Sequence, residues 1–388
     1  GYDIIFFWVS RMIFQSLNVT NKAPFKDVVI HGLVRDELGR KMSKSLGNGV
    51  DPIEVIDKYG VDALRYFLTT NSTPGQDMRY IDEKVESSAN YLNKIWNSAR
   101  YVLSVLPEGY NEEKINIKYL SSLDKWILNR LMVTVDNVTN NMEKYDFNAA
   151  SSHLYNFVYD DFCSQYLEMS KVALNSDDIN KKNTTYAVLL KCLKNIILLI
   201  YPYTPFIAEE LYLNLPNHLE SVMLESYPKI EKVYLDDSGD LEINTLFSII
   251  KEVRNYKITN KIAPNYCLDI YLKLKINVSD DFIIYLKRFT FSNIEVKDIS
   301  NTSNGDLFNL DYCDLFIVSN VNQNEVIEKL KKDIELENSE INRCEKMLNN
   351  PNFLAKAPEE KINQEKAKLE LHRNNLIELN KKMKKLIK

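Results

Sequence analysis

The stretch 324–388 constrains the fold more than any other. Ile327, Ile334, Ile341 and Leu348 fall seven residues apart, with Leu330 and Cys344 at the interleaved positions. The pattern breaks at Asn349-Asn350-Pro351 and resumes after Pro358. There Ile362, Leu369, Leu376 and Met383 again fall seven apart, with His372, Leu379 and Leu386 between them. A seven-residue apolar repeat lays one seam along a helix. Two such helices joined by a short Pro-bounded turn meet only by folding back, so an antiparallel coiled-coil hairpin is predicted over 323–388. His372 falls on the seam and reads as a satisfied core residue rather than a ligand or base.

The 388 residues exceed one ordinary core, so two to four domains are expected. Apolar residues recur at helical spacing through 83–106, 122–144, 148–175 and 184–215, which predicts a helix bundle over 83–230. Within it Pro202 and Pro205 fix a kink or a helix start. Residues 231–241 are acidic, contain Gly239 and read as a linker. A small α+β domain over 231–322 is expected from a helix near 243–255, alternating apolar residues at 267–274, an apolar run at 282–289 and a strand at 315–318.

Residues 1–82 read as α/β. The run 4–14 is long and apolar enough for a helix, and Val28-Val29-Ile30 reads as a buried strand. A polar loop follows over 35–48. Asp51 is placed to cap a helix opened by Pro52, with Glu54 positioned to complete a capping box, and a second helix runs 61–69.

Composition excludes several classes. No run of about eighteen uncharged apolar residues predicts a membrane span. The five cysteines are scattered and only four histidines occur, which argues against a zinc site or a disulfide framework and fits a reducing cytoplasm. The net charge of -5 argues against a surface built wholly on phosphate contacts, although a basic face can sit on an acidic protein. The start, Gly1-Tyr2-Asp3-Ile4, has no secretory character and reads as the interior of a longer protein.

The segment Lys41-Met42-Ser43-Lys44-Ser45 carries the sharpest chemistry. Two lysines three residues apart, flanked by hydroxyls and followed by Leu46-Gly47-Asn48, make a cationic loop able to fold over a polyphosphate. Lysine is a mobile point charge that follows a moving phosphate. Meeting the charge that develops on a departing pyrophosphate raises turnover rather than affinity. A solvated Lys/Ser loop fits five residues equally well.

The surroundings extend the pattern. With His31-Gly32-Leu33-Val34-Arg35-Asp36 and Gly39-Arg40 before it, and Asp51-Pro52 and Tyr59-Gly60-Val61-Asp62-Ala63-Leu64-Arg65 after it, the loop resembles the second signature of class I aminoacyl-tRNA synthetases. That resemblance implies a Rossmann-like catalytic domain, of which 1–82 is the second half. It implies that Lys44 contacts the ATP phosphates with Lys41 assisting and Ser43 in the same loop. Met42 and the backbone of His31 and Gly32 would border the adenine. Gly1-Tyr2-Asp3 resembles the family's Gly-x-Asp element. Its glycine admits the nucleotide, and the Asp3 carboxylate accepts from ribose hydroxyls.

The valyl branch of the family is the best match. Phe6-Phe7-Trp8-Val9-Ser10-Arg11-Met12 and Thr73-Pro74-Gly75-Gln76-Asp77 resemble it. Trp8, by default a core residue, would there line the amino-acid pocket. One methylene is worth only about 1–3 kcal/mol, so such enzymes also edit. Tyr155–Cys163 and 201–211 resemble the anticodon-binding bundle, although their aromatics read first as packing. Ile250-Lys251-Glu252-Val253-Arg254-Asn255 resembles the start of the small domain before the arm. Asn352-Phe353-Leu354-Ala355-Lys356-Ala357-Pro358-Glu359 resembles the valyl arm, whose Lys381, Lys382, Lys384, Lys385 and Lys388 would face the tRNA corner.

The family's other signature, His-Ile-Gly-His, is absent, as is the editing domain inserted near it. The expectation is therefore the C-terminal portion of an enzyme that ligates valine to tRNA(Val) through a valyl-adenylate, inactive as an isolated chain. ATP would arrive with Mg2+ and no protein-bound metal is expected; the protein would be a cytoplasmic monomer. A non-catalytic tRNA-binding module and an isoleucyl or leucyl enzyme remain open alternatives.

Overall fold

A computed structural model describes residues 1–111, 114–299, 305–318, 323–349 and 359–386. Helices dominate, and the sheets are small. The chain divides into two compact units: Gly1–Glu252 with Ile276–Leu286, and Val253–Lys275 with Lys287–Lys388.

The first unit opens with helical turns over Tyr2–Ile4 and Ile5–Val9 that run into α1 (Ser10–Thr20). The predicted helix is present, but none of its residues is buried: Phe6 is 78% exposed and Trp8 58%. Val28-Val29-Ile30 does not form the expected buried strand. Val28 and Val29 are half exposed, and the ladder begins only at the single bridge from His31 to Pro74. An apolar run becomes a strand only where a neighbour takes up its backbone groups, and here the described pairing is confined to Gly75 N–H donating to Ile30 O at 3.0 Å. Two short strands, β1 (Val34–Arg35) and β2 (Met78–Arg79), pair in parallel. Between them lie the polar loop, α2 (Pro52–Tyr59) and α3 (Val61–Thr70). Asp51 caps α2 by accepting from Ile53 N–H at 2.8 Å. The reciprocal bond expected from Glu54 is absent among the described residues.

Next comes the bundle: α4 (Asp82–Val105), α5 (Ser122–Glu143), α6 (Phe147–Asn156), α7 (Leu167–Leu174), α8 (Ile179–Ile200) and α9 (Pro205–Leu213). α6 and α7 are continuous through a wider π-helical segment, Phe157–Tyr166. Val85, Tyr91, Leu92, Ile95, Ala99 and Val102 bury one face of α4 at the helical period. Three of these starts carry side-chain caps. Ser121 and Asp124 form a capping box on α5, Asp146 accepts from Ala149 N–H on α6, and Asp178 accepts from Asn180 N–H on α8. The fully buried Tyr166 hydroxyl donates to the Asp124 carboxylate at 2.6 Å.

Three features sharpen the sequence reading. Helix α8 is long and apolar enough to cross a membrane by length and composition, but two-thirds of its apolar window is buried inside the protein, as for a core helix that is apolar all round. The run 184–215 is broken at 201–204, where Pro202 and Pro205 end one helix and start the next. Residues 231–241 are not a free linker: Asp236 pairs with Lys125 at 3.1 Å, and a Cβ on Gly239 would lie 2.5 Å from Ser122 O. Helix α10 (Asp240–Thr259) follows directly.

In the second unit, β3 (Leu268–Leu274), β4 (Ser292–Val296), β5 (Gly305–Leu310) and β6 (Cys313–Val318) form one sheet of order β4-β3-β6-β5. The β3–β4 pair is parallel, and α11 (Asp280–Thr290) lies between them in sequence, as a parallel crossover requires. Leu268, Ile270 and Leu272 alternate inward and meet Leu315 and Ile317 on the buried face. Lys257 is only 3% exposed and donates to three carbonyls, Pro264 O at 2.9 Å, Tyr266 O at 2.7 Å and Thr290 O at 2.6 Å.

Two long helices end the chain, α12 (Gln323–Leu348) and α13 (Glu359–Leu386). They run antiparallel: Glu337 meets His372 at 2.6 Å while Cys344 meets Glu365 at 3.6 Å. Ile341 and Cys344 are buried on the seam, and His372 is paired there with Glu337. The motif over 352–358 lies outside the described residues, as do the side chains of Lys381, Lys382, Lys384 and Lys385, and Lys388.

Gly239→Ala is expected to destabilise the first unit by about 1–3 kcal/mol, because backbone rather than a movable side chain blocks the added methyl. Urea unfolding monitored by tryptophan fluorescence measures the loss.

Candidate functional site

The lysine loop is held from outside its own five residues. Asn48 sits beyond the loop and ties its first residue to its middle. Its Oδ1 accepts from Ser43 N–H at 3.0 Å, and its Nδ2 donates to Lys41 O at 3.3 Å and to Asp36 Oδ2 at 2.9 Å. Asp36 is 8% exposed and also accepts from Arg40 N–H and Arg40 Nε, both at 2.7 Å. These donors, Asn48 foremost, hold the Asp36 carboxyl down at about 2. Inside the loop, Leu46 N–H donates to Ser43 Oγ and Gly47 N–H to Lys44 O, each at 3.3 Å. Gly47 takes φ +60°, a left-handed value that favours glycine. Met42 and Ser43 are half-buried, whereas Lys41 and Lys44 are exposed. Among the described residues neither amine has a hydrogen-bond or ion-pair partner. The loop is thus a shaped backbone carrying two free cations.

A second cluster gathers two distant segments on Asp77. Its Oδ1 accepts from Leu33 N–H at 2.7 Å, and its Oδ2 from Arg35 Nε at 2.5 Å and Tyr2 OH at 3.4 Å. The Leu33 N–H bond first, then Arg35, hold the Asp77 carboxyl below its usual range. Gly32 is required here by packing: a Cβ on it would overlap the Gln76 carbonyl. Gly1 N lies 3.3 Å from His31 Nε2, and a Cβ on Gly1 would come within 2.8 Å of Leu33 Cδ2 and 2.9 Å of Asp3 Oδ1. The structure therefore brings Gly1, Asp3, His31 and Gly32 together. Trp8 stands apart from them, with no described contact to either cluster.

Sequence reasoning singled out the lysines and glycines but missed Asn48, Asp36 and Asp77 as the groups that shape the site. Asn48 and Asp36 were quoted only as parts of motifs. Asp77 was quoted as a branch signature with no role, since its partners lie more than forty residues away.

Family profiles match three successive parts of the chain. Residues 1–81 match tRNA synthetases class I (I, L, M and V), 124–272 the anticodon-binding domain of tRNA ligase, and 323–387 the valyl tRNA synthetase tRNA binding arm. Similar curated proteins include the valine–tRNA ligases of Staphylococcus saprophyticus, 41% identical over 383 residues, and of Geobacillus stearothermophilus, 42% identical over 387. Each match takes in 95% of this chain and 43% of the relative, so the chain spans less than half the length of these relatives. Among solved structures, LeuRS of Agrobacterium radiobacter K84 in a ternary complex with tRNA and LeuAMS is 20% identical, covering 77% of this chain and 33% of that one at a TM-score of 0.47.

Asn48→Ala is expected to free the Ser43 amide and speed tryptic cleavage after Lys41 and Lys44 severalfold. A depressed carboxyl contributes stability that is full above its unfolded value near 3.8 and is lost as pH falls through about 2. The Asp36 clamp should therefore survive mild acid in the parent, and the variant should lose it at higher pH, which an NMR titration of the Asp36 carboxyl reads directly.

Proposed function

We propose that this chain, to which valine–tRNA ligases are similar along 95% of its length, is the C-terminal portion of such an enzyme. The observation that carries the reading is a pair of lysines, without partners among the described residues, on a loop fixed by Asn48 and Asp36. The carboxylate of valine attacks the α-phosphorus of ATP, and pyrophosphate departs with growing negative charge. Lys44, with Lys41 beside it, meets that charge, Ser43 lies in the same loop, and Met42 borders the adenine. Magnesium comes with ATP as part of the substrate. Gly1, Asp3, His31 and Gly32 border the adenosine. The ribose hydroxyl at the tRNA 3′ end then attacks the carbonyl of the mixed anhydride, and AMP departs as the ester forms. Neither step needs a protein nucleophile, so positioning and electrostatics supply the rate.

In this reading 1–82 is the second half of the catalytic domain, 83–230 the anticodon-binding bundle, 231–322 a small α+β domain and 323–388 a coiled-coil arm on the tRNA corner. The exposed apolar face of Phe6, Phe7, Trp8 and Phe14 is covered in the whole enzyme by the first half of the catalytic fold, where Trp8 closes the amino-acid pocket. Several large apolar side chains left exposed in one short segment point to an interface rather than a solvent face. The whole enzyme would be a cytoplasmic monomer acting on valine, ATP and tRNA(Val).

In the full-length protein, Lys44→Ala is expected to lower valine-dependent ATP–pyrophosphate exchange on the order of a hundredfold while changing ATP affinity little. Equal losses in both would refute a role confined to the transition state. Residues 1–388 alone should show no exchange, and preferential charging of isoleucine by the full-length protein would overturn the valine assignment.

A further inference from the structure

The step from the lysine loop to the bundle passes through α3, and α3 carries an arrangement that the proposed function does not use. Asp62, on its first turn, is 8% exposed. Its Oδ2 accepts from Ile207 N–H at 2.7 Å, in the first turn of α9. That helix starts with Pro205, which has no N–H, and its N-cap Thr204 makes no side-chain cap of its own. The carboxylate of α3 therefore serves as the missing cap of a helix far away in sequence, where the helix dipole favours negative charge. One turn further along α3, Arg65 reaches the other side of the same corner. Its Nε donates to Tyr203 O at 3.3 Å and its Nη2 faces Pro202 O at 3.5 Å. Tyr66 completes the face, with its ring 6.0 Å from that of the buried Tyr203.

The two charges fit one register only. Amide donors of α9 face the carboxylate, and carbonyl acceptors of the 202–203 turn face the guanidinium. Sliding α3 by one turn would set like against like. The arrangement is also costly to bury, since Asp62 Oδ1 has no partner among the described residues. A surface that needed only adhesion between helices would use apolar side chains.

Upstream, the path to the loop is short and stiff. Gly60, at φ +89°, turns α2 into α3; Asp51 caps α2; Asn48, three residues before Asp51, grips the loop. A separate tie joins residues 1–82 to the turn after α5, where Tyr145 OH donates to Asp27 Oδ2 at 3.1 Å. We propose that Asp62 and Arg65 are positioning residues that lock the lysine-loop module to the α8–α9 corner of the bundle, so that the loop's placement over the nucleotide depends on them. This rests on the reading of Lys41–Ser45 as the phosphate loop.

The test is a double-mutant cycle in the full-length protein, scored by valine-dependent ATP–pyrophosphate exchange. Asp62→Ala should lower the rate roughly tenfold to a hundredfold, as a misplaced catalytic group does, with little change in the KM for valine. Asp62→Asn retains an oxygen for Ile207 N–H and should recover most of that loss. In a Lys44→Ala background, Asp62→Ala should cost little more, because the group it positions is already gone. Full additivity of the two losses would overturn the proposal. Loss of exchange on Asp62→Ala with no effect of Lys44→Ala would instead remove the reading of the loop, and this inference with it. Should Asp62→Ala fail to fold, Arg65→Ala runs the same cycle, with Arg65→Lys as the conservative variant.

Discussion

Backbone groups at helix and loop ends that have no partner in their own element set the design of this chain. Every helix leaves amide donors at its start and carbonyls at its finish. In the bundle, Ser121 with Asp124, Asp146 and Asp178 meet them locally. Elsewhere the partner is imported. Asp62 serves the start of α9, Lys257 takes the Thr290 carbonyl at the end of α11, and Asn48 takes the Ser43 amide in the lysine loop. Each imported partner is polar, at least half-buried and aimed at one place, so each fixes a position as well as satisfying a bond.

This explains what was legible in the sequence. Helices with one apolar face and a Ser or Asp ahead of them were readable, because the period and the cap sit within a few residues. The seven-residue repeat announced α12 and α13 for the same reason. The lysine loop was readable because its five side chains and the motifs that flank them lie close together in sequence. Its clamp was not, since Asn48 looks like any loop asparagine until Ser43 and Asp36 stand beside it.

The misreadings have the same cause in reverse. Val28-Val29-Ile30 has the composition of a buried strand, but composition does not supply a neighbour. β4 and β5 escaped notice because Asn293, Glu295, Asp306 and Asn309 dilute their alternation, and their place in the sheet comes from pairing with β3 and β6. The acidic stretch 231–241 has a linker's composition, yet Gly239 fits against Ser122 O where any larger residue would collide.

The seam between α12 and α13 is not uniformly apolar. Glu365 is 6% exposed there, beside Cys344 and within reach of Lys368 at 2.8 Å, and His372 meets Glu337 further along. An all-leucine seam slides by a heptad at little cost, and such a slip moves one helix against the other by about 10 Å. Here the slip would part Glu365 from Cys344 and from Arg343, and His372 from Glu337, across the two helices. The pair of helices therefore has a calibrated length, and anything it touches at its far end is met at one distance.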